Sequence, residues 1–301
     1  MTHEQSSATR EISRVALVTC DLFPDLYEDE FPLRNALRAR GVTVDSPLWD
    51  DPAVDWPAYD LVIPRSTWDY PARHDEFLAW ARQVPRLANP AEVIEWNTDK
   101  HYLRELAAAG VPGHPHHLRR ARRDLAARQR GGVGGQAGHQ RRQQGHRAVR
   151  AARRGGTGPR ARRPPARGRA HRAGAALSGR RDQAGETALL YTPGADGELG
   201  FSHAIRKGPL LTGPDLGNKE AEYAEDISAR TPADAELAVG ERVVAALPGG
   251  LLYARVDLIP GPDGAPMLVE VELTEPSLFW TYAEGSAERM ADAIVARLSS
   301  V

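Results

Sequence analysis

The sequence is poor in cysteine and has no long apolar run: Cys20 is the single cysteine in 301 residues. One cysteine excludes an internal disulfide framework and fits a reducing compartment, so we expect a cytoplasmic protein. Since no stretch of about 18 apolar residues is present, we expect no membrane-spanning helix and no membrane partner. The N-terminus MTHEQSSATRE lacks the apolar segment of a secretory signal. The length allows one large domain or two to three small ones.

Acidic residues are almost missing from residues 113–181, where Asp124 stands alone against 20 arginines. The segment therefore carries a charge of about +19, and the rest of the chain about −20. It has no hydrophobic period and little to form a core, so we expect disorder there. One interpretation is an arginine-rich nucleic-acid-binding protein, which would bind in a sequence-independent and strongly salt-dependent way.

The chain before this segment has the pattern of an α/β region. Three apolar runs predict strands and two amphipathic segments predict helices, namely 14–20, 42–49 and 59–64 for the strands and 28–40 and 74–84 for the helices. The β-α-β-β-α order favours a small, mostly parallel sheet with its loops at the strand C-termini. Residues 97–110 predict one further helix, with Asn97 or Thr98 at its N-cap and Gly110 at its end.

The chain after this segment again has the pattern of a folded α/β region. Two pairs of alternating runs predict two β-hairpins, 186–192 with 198–207 and 251–259 with 266–273. Residues 231–247 predict a helix with Thr231 at its N-cap and Pro232 in its first turn. Residues 286–298 predict an amphipathic helix that ends the chain.

Three carboxylates in the second hairpin carry the clearest chemical signal. Asp257 lies in one predicted strand, and Glu270 and Glu272 are two apart in the next, so they share a face. If the strands pair, the three carboxylates converge, and hard oxygen ligands without His or Cys suit Mg²⁺. Arg255 shares the face of Asp257 and could neutralise a phosphate. The alternative is an exposed acidic face, because burying unpaired carboxylates is costly.

These strands also resemble a known family. ARVDL followed by LVEVELTEPSLF resembles the metal-binding strands of the ATP-grasp ligase superfamily, which includes glutathione synthetase and D-alanine–D-alanine ligase. The resemblance implies that Asp257, Glu270 and Glu272 hold Mg²⁺ on ATP and that Arg255 acts on the transferred phosphoryl group. The family has an asparagine where Glu272 stands, and this departure adds negative charge to the second metal position.

Other motifs extend the resemblance to nucleotide-binding positions. WNTDK (96–100) resembles the approach to the family's central domain, which implies that Lys100 contacts ATP phosphates; the alternative is a solvated helix lysine. FSHAIRKGP (201–209) resembles the strand that brings basic groups to the γ-phosphate. This resemblance makes Arg206 a catalytic candidate and Lys207 a nucleotide-binding candidate. The alternative is that both are exposed residues of an edge strand. Glu186 is a further nucleotide-binding candidate.

VIPRSTWDYPARHDEFLAWA (62–81) is similar to the actinobacterial branch that contains the D-cycloserine-forming cyclo-ligase. Arg65, Ser66 and Thr67 follow a predicted strand and are candidates for holding a substrate carboxylate; the alternative is a turn anchored by Trp68. The likeness covers residues 14–112 and 182–298. It implies an ATP-grasp fold with an N-terminal domain (14–95), a leading helix (96–112) and a C-terminal subdomain (182–301).

The implied function is an ATP- and Mg²⁺-dependent carboxylate–amine ligase or cyclo-ligase. It would act through an acyl phosphate on a small amino-acid-like substrate. Nucleic acid would then bind only non-specifically, through the arginine-rich segment. No GxxxxGK[ST] motif is present, so a P-loop is excluded.

Residues 113–181 lack the lysine strand, glycine/serine loop and adenine-side strand that the family carries between these halves. A frame one base along supplies sequences of this kind. From the second base of the codon for Gly135 to Val149, suitable wobble bases give VKPAISAGSKDTGPY. Residues 113–119 give VIPTTFV, and residues 174–181 give VQPYLAAV. We therefore predict a frameshifted segment, with an extra base near codon 113 and a lost base near codon 182, in a chain of impaired activity.

Overall fold

The structure, a computed structural model, describes residues 13–113, 185–208 and 226–300. The disorder predicted for residues 113–181 lies outside these residues apart from Gly113, and so does the central subdomain that the resemblance implies. The predicted domain boundaries remain predictions. Within the described ranges no helix is long and apolar enough to cross a membrane.

The N-terminal region forms the parallel sheet that its apolar runs predict. Its strands are β1 (Arg14–Thr19), β2 (Thr43–Asp45) and β3 (Leu61–Ser66), in the order β2-β1-β3. Both pairings are parallel, so the carboxyl ends of β1 and β3 lie side by side. Helix α1 (Phe31–Ala39) and helix α2 (His74–Gln83) connect and flank these strands. The predicted α/β class and parallel pairing are confirmed.

The helix predicted over 97–110 is confirmed only in its middle, as α4 (Tyr102–Ala108), and its predicted start is wrong. Residues 97 and 98 belong to a preceding helix, α3 (Ala91–Thr98), and Asp99 between the two helices has an extended backbone. Asn97 lies in the last turn of α3, where it caps nothing. Its side chain is hydrogen-bonded to a strand instead, so the polar group that resembles an N-cap serves a tertiary contact.

The C-terminal region forms one sheet from the two predicted hairpins and a short added strand. The strands are β4 (Glu186–Pro193), β5 (Leu199–Lys207), β6 (Ile227–Arg230), β7 (Ala254–Pro260) and β8 (Pro266–Glu272). Their order is β6-β5-β4-β7-β8, with antiparallel pairing throughout. Both hairpin predictions are confirmed.

Two helices cover this sheet. Helix α5 (Asp234–Val244) begins two residues later than predicted, with Ala233 at its N-cap in place of Thr231. The Glu236 carboxylate accepts the Ala233 N–H at 2.8 Å and supplies the cap from inside the helix. Helix α6 (Ser286–Leu298) has the predicted bounds.

One of the hydrophobic clusters contains residues of both sheets. Leu17 and Leu37 from the N-terminal region pack in the same buried cluster as Leu190, Met290 and Ile294 from the C-terminal region. On the surface, Arg40 of α1 pairs with Asp292 of α6 at 2.7 Å. Tyr253 directly precedes β7, and its hydroxyl donates to the Pro64 carbonyl at 3.2 Å, so the carboxyl half of β3 lies next to the second hairpin.

Candidate functional site

The pairing of β7 with β8 brings the three predicted metal-binding carboxylates together. Asp257 stands opposite Glu270, and Arg255 stands opposite Glu272. Directly opposed residues of antiparallel strands project to the same face, so all four side chains share it. The convergence predicted from sequence alternation is therefore present.

The carboxylates are buried or half-buried, and basic side chains pair with them. Arg255 donates from Nε to Asp257 Oδ1 at 3.0 Å, and its guanidinium also bonds Glu272. Lys207 Nζ lies 3.2 Å from Asp257 Oδ2 and 2.8 Å from Glu186 Oε1. The sequence left a choice between an exposed acidic face and metal pairing. Internal cations provide a third solution, since they offset the cost of burying carboxylates.

Lys100 completes this arrangement from outside the sheet. It follows α3, and its ammonium pairs with Glu270. The Lys100 side chain is 39 % exposed, so it is open to solvent on one side while it neutralises a carboxylate on the other. It is therefore not an isolated solvated lysine.

The pKa values of three carboxylates are shifted by burial and by the charges that lie close to them. Burial raises the pKa of Glu272 to about 7, with further increases from Glu270 and Asp257 and opposition from Arg255. Burial and the charge of Glu272 also raise the pKa of Glu275. For Asp257 burial acts in the same direction, but Arg255 and Lys207 outweigh it and hold its pKa below the ordinary value.

The carboxylate cluster, as we call it, has more acids than bases. Five carboxylates lie in or beside it against three cations: Glu186, Asp257, Glu270, Glu272 and Glu275 against Lys100, Lys207 and Arg255. Full ionisation leaves two unbalanced negative charges, which a divalent cation with hard oxygen ligands would neutralise. Among the described residues no three His, Cys, Asp or Glu side chains are arranged as a metal site. A metal ion would therefore have to displace a lysine or arginine.

Arg206, the other catalytic candidate, is not part of the cluster. It pairs with Thr187, whereas its neighbour Lys207 pairs with Glu186, so Arg206 projects to the opposite face of the sheet. Its Nη1 lies 3.5 Å from Thr187 Oγ1, which in turn donates to Glu236 of α5. Strand β5 lies between β4 and β6, so neither basic residue is on a sheet edge.

The substrate candidates at the end of β3 are completely buried. Arg65 bonds both carboxylate oxygens of Glu30 at 2.6 and 3.0 Å, and it donates to the Pro276 carbonyl at 2.6 Å. Within the described residues, Arg65 Nη1 and Thr67 Oγ1 have no hydrogen-bond partner. Ser66 Oγ accepts the Tyr27 N–H at 3.1 Å. Two residues with an unpartnered polar group, Arg65 and Thr67, therefore stand two positions apart at the carboxyl end of a parallel strand.

Trp68 and Tyr70 connect this strand end to the carboxylate cluster. Trp68 Nε1 lies 3.4 Å from the Glu275 carbonyl, so the turn is anchored as the structural alternative predicts. Burial and the nearby charge of Glu275 raise the pKa of the Tyr70 hydroxyl. Tyr70 and Glu275 are not among the residues predicted from the sequence. Glu275 lies only three residues after Glu272 in ELTEP, and that short spacing was the available signal.

Comparisons of this chain with protein families, protein sequences and solved structures all find similarity to proteins of D-cycloserine synthesis. A family described as D-cycloserine synthetase DcsG, N-terminal domain, matches residues 15–89. The cycloserine biosynthesis protein DcsG of Streptomyces lavendulae is 33 % identical over 318 residues, covering 94 % of this chain and 98 % of that protein. The crystal structure of D-cycloserine synthetase DcsG has a TM-score of 0.65 at 29 % identity, over 95 % of this chain and 100 % of that one.

A more distant solved structure shares the fold. The RimK-domain ATP-grasp protein from Sphaerobacter thermophilus DSM 20745 has a TM-score of 0.50 at 18 % identity. The match covers 93 % of this chain and 99 % of that chain. The similarity therefore extends over the whole length of these relatives.

Proposed function

This chain belongs to the ATP-grasp ligase superfamily, as a relative of D-cycloserine synthetase, and from that premise we propose a specific activity for it. The protein joins a carboxylate to an amine, with ATP and Mg²⁺, on a small amino-acid-like substrate. When both groups belong to the same molecule the product is a ring. The observation that carries the proposal is the carboxylate cluster, in which Asp257, Glu270 and Glu272 share one face with Arg255 and Lys207.

The cluster residues divide into metal-binding and phosphate-binding groups. Asp257, Glu270 and Glu272 would hold Mg²⁺, which when bound offsets the negative charge of the ATP phosphates. Arg255 and Lys207 already lie on the same face and neutralise negative charge there. These two cations, with Lys100, are the groups that would bind the phosphates. Arg206 has no part in this assignment because it lies on the other face.

The reaction needs two displacements. A substrate carboxylate oxygen attacks the γ-phosphorus of ATP, the bond to the β-phosphate oxygen breaks, and ADP leaves. The amine nitrogen then attacks the carbonyl carbon of the acyl phosphate and loses a proton. Inorganic phosphate leaves with one oxygen of the original carboxylate. The unpartnered Arg65 Nη1 and Thr67 Oγ1 support a role for the end of β3 in orienting the substrate.

The frame of residues 113–181 decides whether this chain is active. Three stretches fit one shifted frame in the right order, and two of them resemble the family's lysine strand with its loop and its adenine-side strand. We expect the chain as printed to bind ATP weakly or not at all, and restoration of the frame to create ligase activity. Sequencing across codons 108–186, with peptide mapping of the natural protein, tests the frame. Arginine-rich peptides would refute a sequencing error, and a compensating pair of single-base differences would establish one.

ADP release by the restored-frame chain tests the proposed activity. We expect Mg²⁺-dependent release only when a suitable amino-acid-like carboxylate is added from a panel. Glu270→Gln should reduce the rate by more than about 100-fold, since one cluster oxygen is lost. Asp263→Asn, in an exposed turn, is the matched control and should leave the rate unchanged. ADP release that is equally fast in Glu270→Gln would refute the assignment.

Nucleic-acid binding by the arginine-rich segment remains a prediction, and its residues lie outside the described ranges. Deletion of residues 113–181 separates the two functions. A nucleic-acid-binding protein would lose nucleic-acid binding on this deletion. If the protein is a ligase, the printed segment has no function to lose.

A further inference from the structure

Strand β8, which carries Glu270 and Glu272, is the outer strand of its sheet. An outer strand leaves backbone N–H and C=O groups that the sheet does not pair. At Leu268 the N–H that the sheet leaves unpaired donates to the Pro112 carbonyl at 2.7 Å. Closer to the carboxylates, side chains replace the missing strand.

Tyr102 and Asn97 supply these side chains. The Tyr102 hydroxyl accepts the Val271 N–H at 3.0 Å and donates to the Val271 carbonyl at 3.1 Å. Asn97 Nδ2 donates to the same carbonyl at 2.8 Å, and Asn97 Oδ1 accepts the Leu273 N–H at 2.8 Å. Asn97 thus presents one donor and one acceptor, as a neighbouring strand would.

These contacts fix the backbone on both sides of Glu272. Val271 and Leu273 are buried and project to the core, while Glu270 and Glu272 alternate with them and project to the cluster. Because the side-chain period of a strand is two, any slip or fraying at Val271 would redirect both carboxylates. Asn97 is buried, and these hydrogen bonds, together with one from Thr274 Oγ1 to Asn97 Oδ1 at 3.3 Å, offset its desolvation.

We propose that Asn97 and Tyr102 are positioning residues for the metal site: they hold β8 against β7 so that Glu270 and Glu272 face Asp257. They act through the backbone and touch neither metal nor nucleotide. The inference rests on the proposed function, because it presupposes that these carboxylates bind a divalent ion. It also connects the metal site to the segment that leads into residues 114–184.

The test uses the full chain as it exists, with Mn²⁺ as the probe. Asn97→Ala and Tyr102→Phe are compared with the unchanged chain for Mn²⁺ affinity, by electron paramagnetic resonance, and for amide exchange, by NMR. We expect exchange at Leu273 to quicken at least tenfold in Asn97→Ala, and exchange at Val271 to quicken in Tyr102→Phe. In both variants Mn²⁺ affinity should fall about tenfold. Tyr102→Phe keeps the buried ring and is the milder change.

Leu37→Ala is the control for lost stability. Leu37 is wholly buried in α1, and its apolar side chain forms no hydrogen bond with β8. The cavity that alanine leaves should lower the melting temperature, and we expect the Leu273 amide to stay protected and the Mn²⁺ affinity to be kept. An equal fall of affinity in Leu37→Ala would overturn the positioning role, because stability alone would then explain the effect.

Two further results would overturn the proposal, and they are distinguishable. If amide exchange at Leu273 and Val271 quickens while both variants keep the Mn²⁺ affinity of the unchanged chain, the positioning role is refuted but the metal assignment is not. If the unchanged chain binds no Mn²⁺, the metal assignment fails and takes the positioning role with it.

Discussion

At the scale of single residues, two buried cations of the carboxylate cluster each serve two carboxylates. Lys207 has only 13 % of its side chain exposed, and it lies between Glu186 and Asp257. Arg255 similarly serves both Asp257 and Glu272. Removing one member of such a group leaves its partners buried without compensation, which costs more than an exposed ion pair contributes.

Lys207→Met should therefore lower the free energy of unfolding by about 3 kcal/mol. The double variant Lys207→Met/Glu186→Gln should recover part of this loss, because one of the stranded carboxylates becomes neutral. Urea denaturation of the two single variants and the double variant forms a double-mutant cycle. Strictly additive losses would contradict direct coupling between the two side chains.

Asp29 provides a test of pH dependence away from the carboxylate cluster. Its carboxylate accepts the Phe279 N–H at 2.9 Å, and burial together with Glu30 raises its pKa to about 6. The folded protein then binds this proton more tightly than the unfolded chain. Its contribution to stability is complete below about pH 4 and is lost as the pH rises through 6.

Asp29→Asn keeps an acceptor for the Phe279 N–H and removes the titration. We expect the difference in melting temperature between Asp29→Asn and the unchanged chain to grow in favour of the variant between pH 4 and pH 7. Thermal unfolding at half-unit pH steps measures it. A difference that does not vary with pH would show that Asp29 titrates normally.

At the scale of elements, helix α5 packs closely on the sheet at Gly240. A Cβ added there would lie 2.1 Å from the Tyr191 hydroxyl and 2.6 Å from Leu189 Cδ1. In an exposed helix, Gly→Ala gains about 1 kcal/mol from helix propensity. Here the overlap outweighs that gain, since a packed interface cannot accept an extra methyl group without moving.

Gly240→Ala should lower the free energy of unfolding by about 1–3 kcal/mol. Adding Tyr191→Phe removes the nearest atom and should restore part of the loss. Chemical denaturation of the single and double variants checks both expectations. An increase in stability for Gly240→Ala alone would contradict the close approach.

Most elements, but not all of their ends, could be predicted from the sequence. The alternation of apolar and polar residues predicted the two hairpins and the shared face of Asp257, Glu270 and Glu272, because the two-residue period of a strand can be read from neighbouring residues. The break between α3 and α4 could not be predicted, since Asn97 has a capping residue's chemistry and a tertiary partner 174 residues away at Val271. The alternation of a strand already puts Arg206 and Lys207 on opposite faces, but only the pairing register shows that Lys207 is the one facing the cluster.

At the scale of the whole molecule, buried polar contacts join the N-terminal and C-terminal regions. Arg65 bonds Glu30 and the Pro276 carbonyl, and Asn89 bonds Leu252 and Tyr253 across the same boundary. These long-range partners could not be inferred from local pattern. The motif RSTWDY indicated a special position but not that Arg65 would be wholly buried.

The charge distribution of the whole chain supports the frameshift proposal. Outside residues 113–181 the chain is strongly acidic, and its cluster holds more carboxylates than cations. A lysine-bearing segment in the shifted frame would add phosphate-binding cations without the large arginine excess. The printed segment offers arginines in a composition that GC-rich DNA gives in a wrong frame.

The most direct test of the ligase assignment follows the substrate's carboxylate oxygen. The restored-frame chain is incubated with Mg²⁺, ATP and an amino-acid-like substrate labelled with oxygen-18 in its carboxylate, and the released phosphate is analysed by mass spectrometry. We predict that one labelled oxygen appears in inorganic phosphate for each C–N bond formed. ADP release with no label in the phosphate would contradict carboxylate activation, and with it the ligase function assigned to the carboxylate cluster.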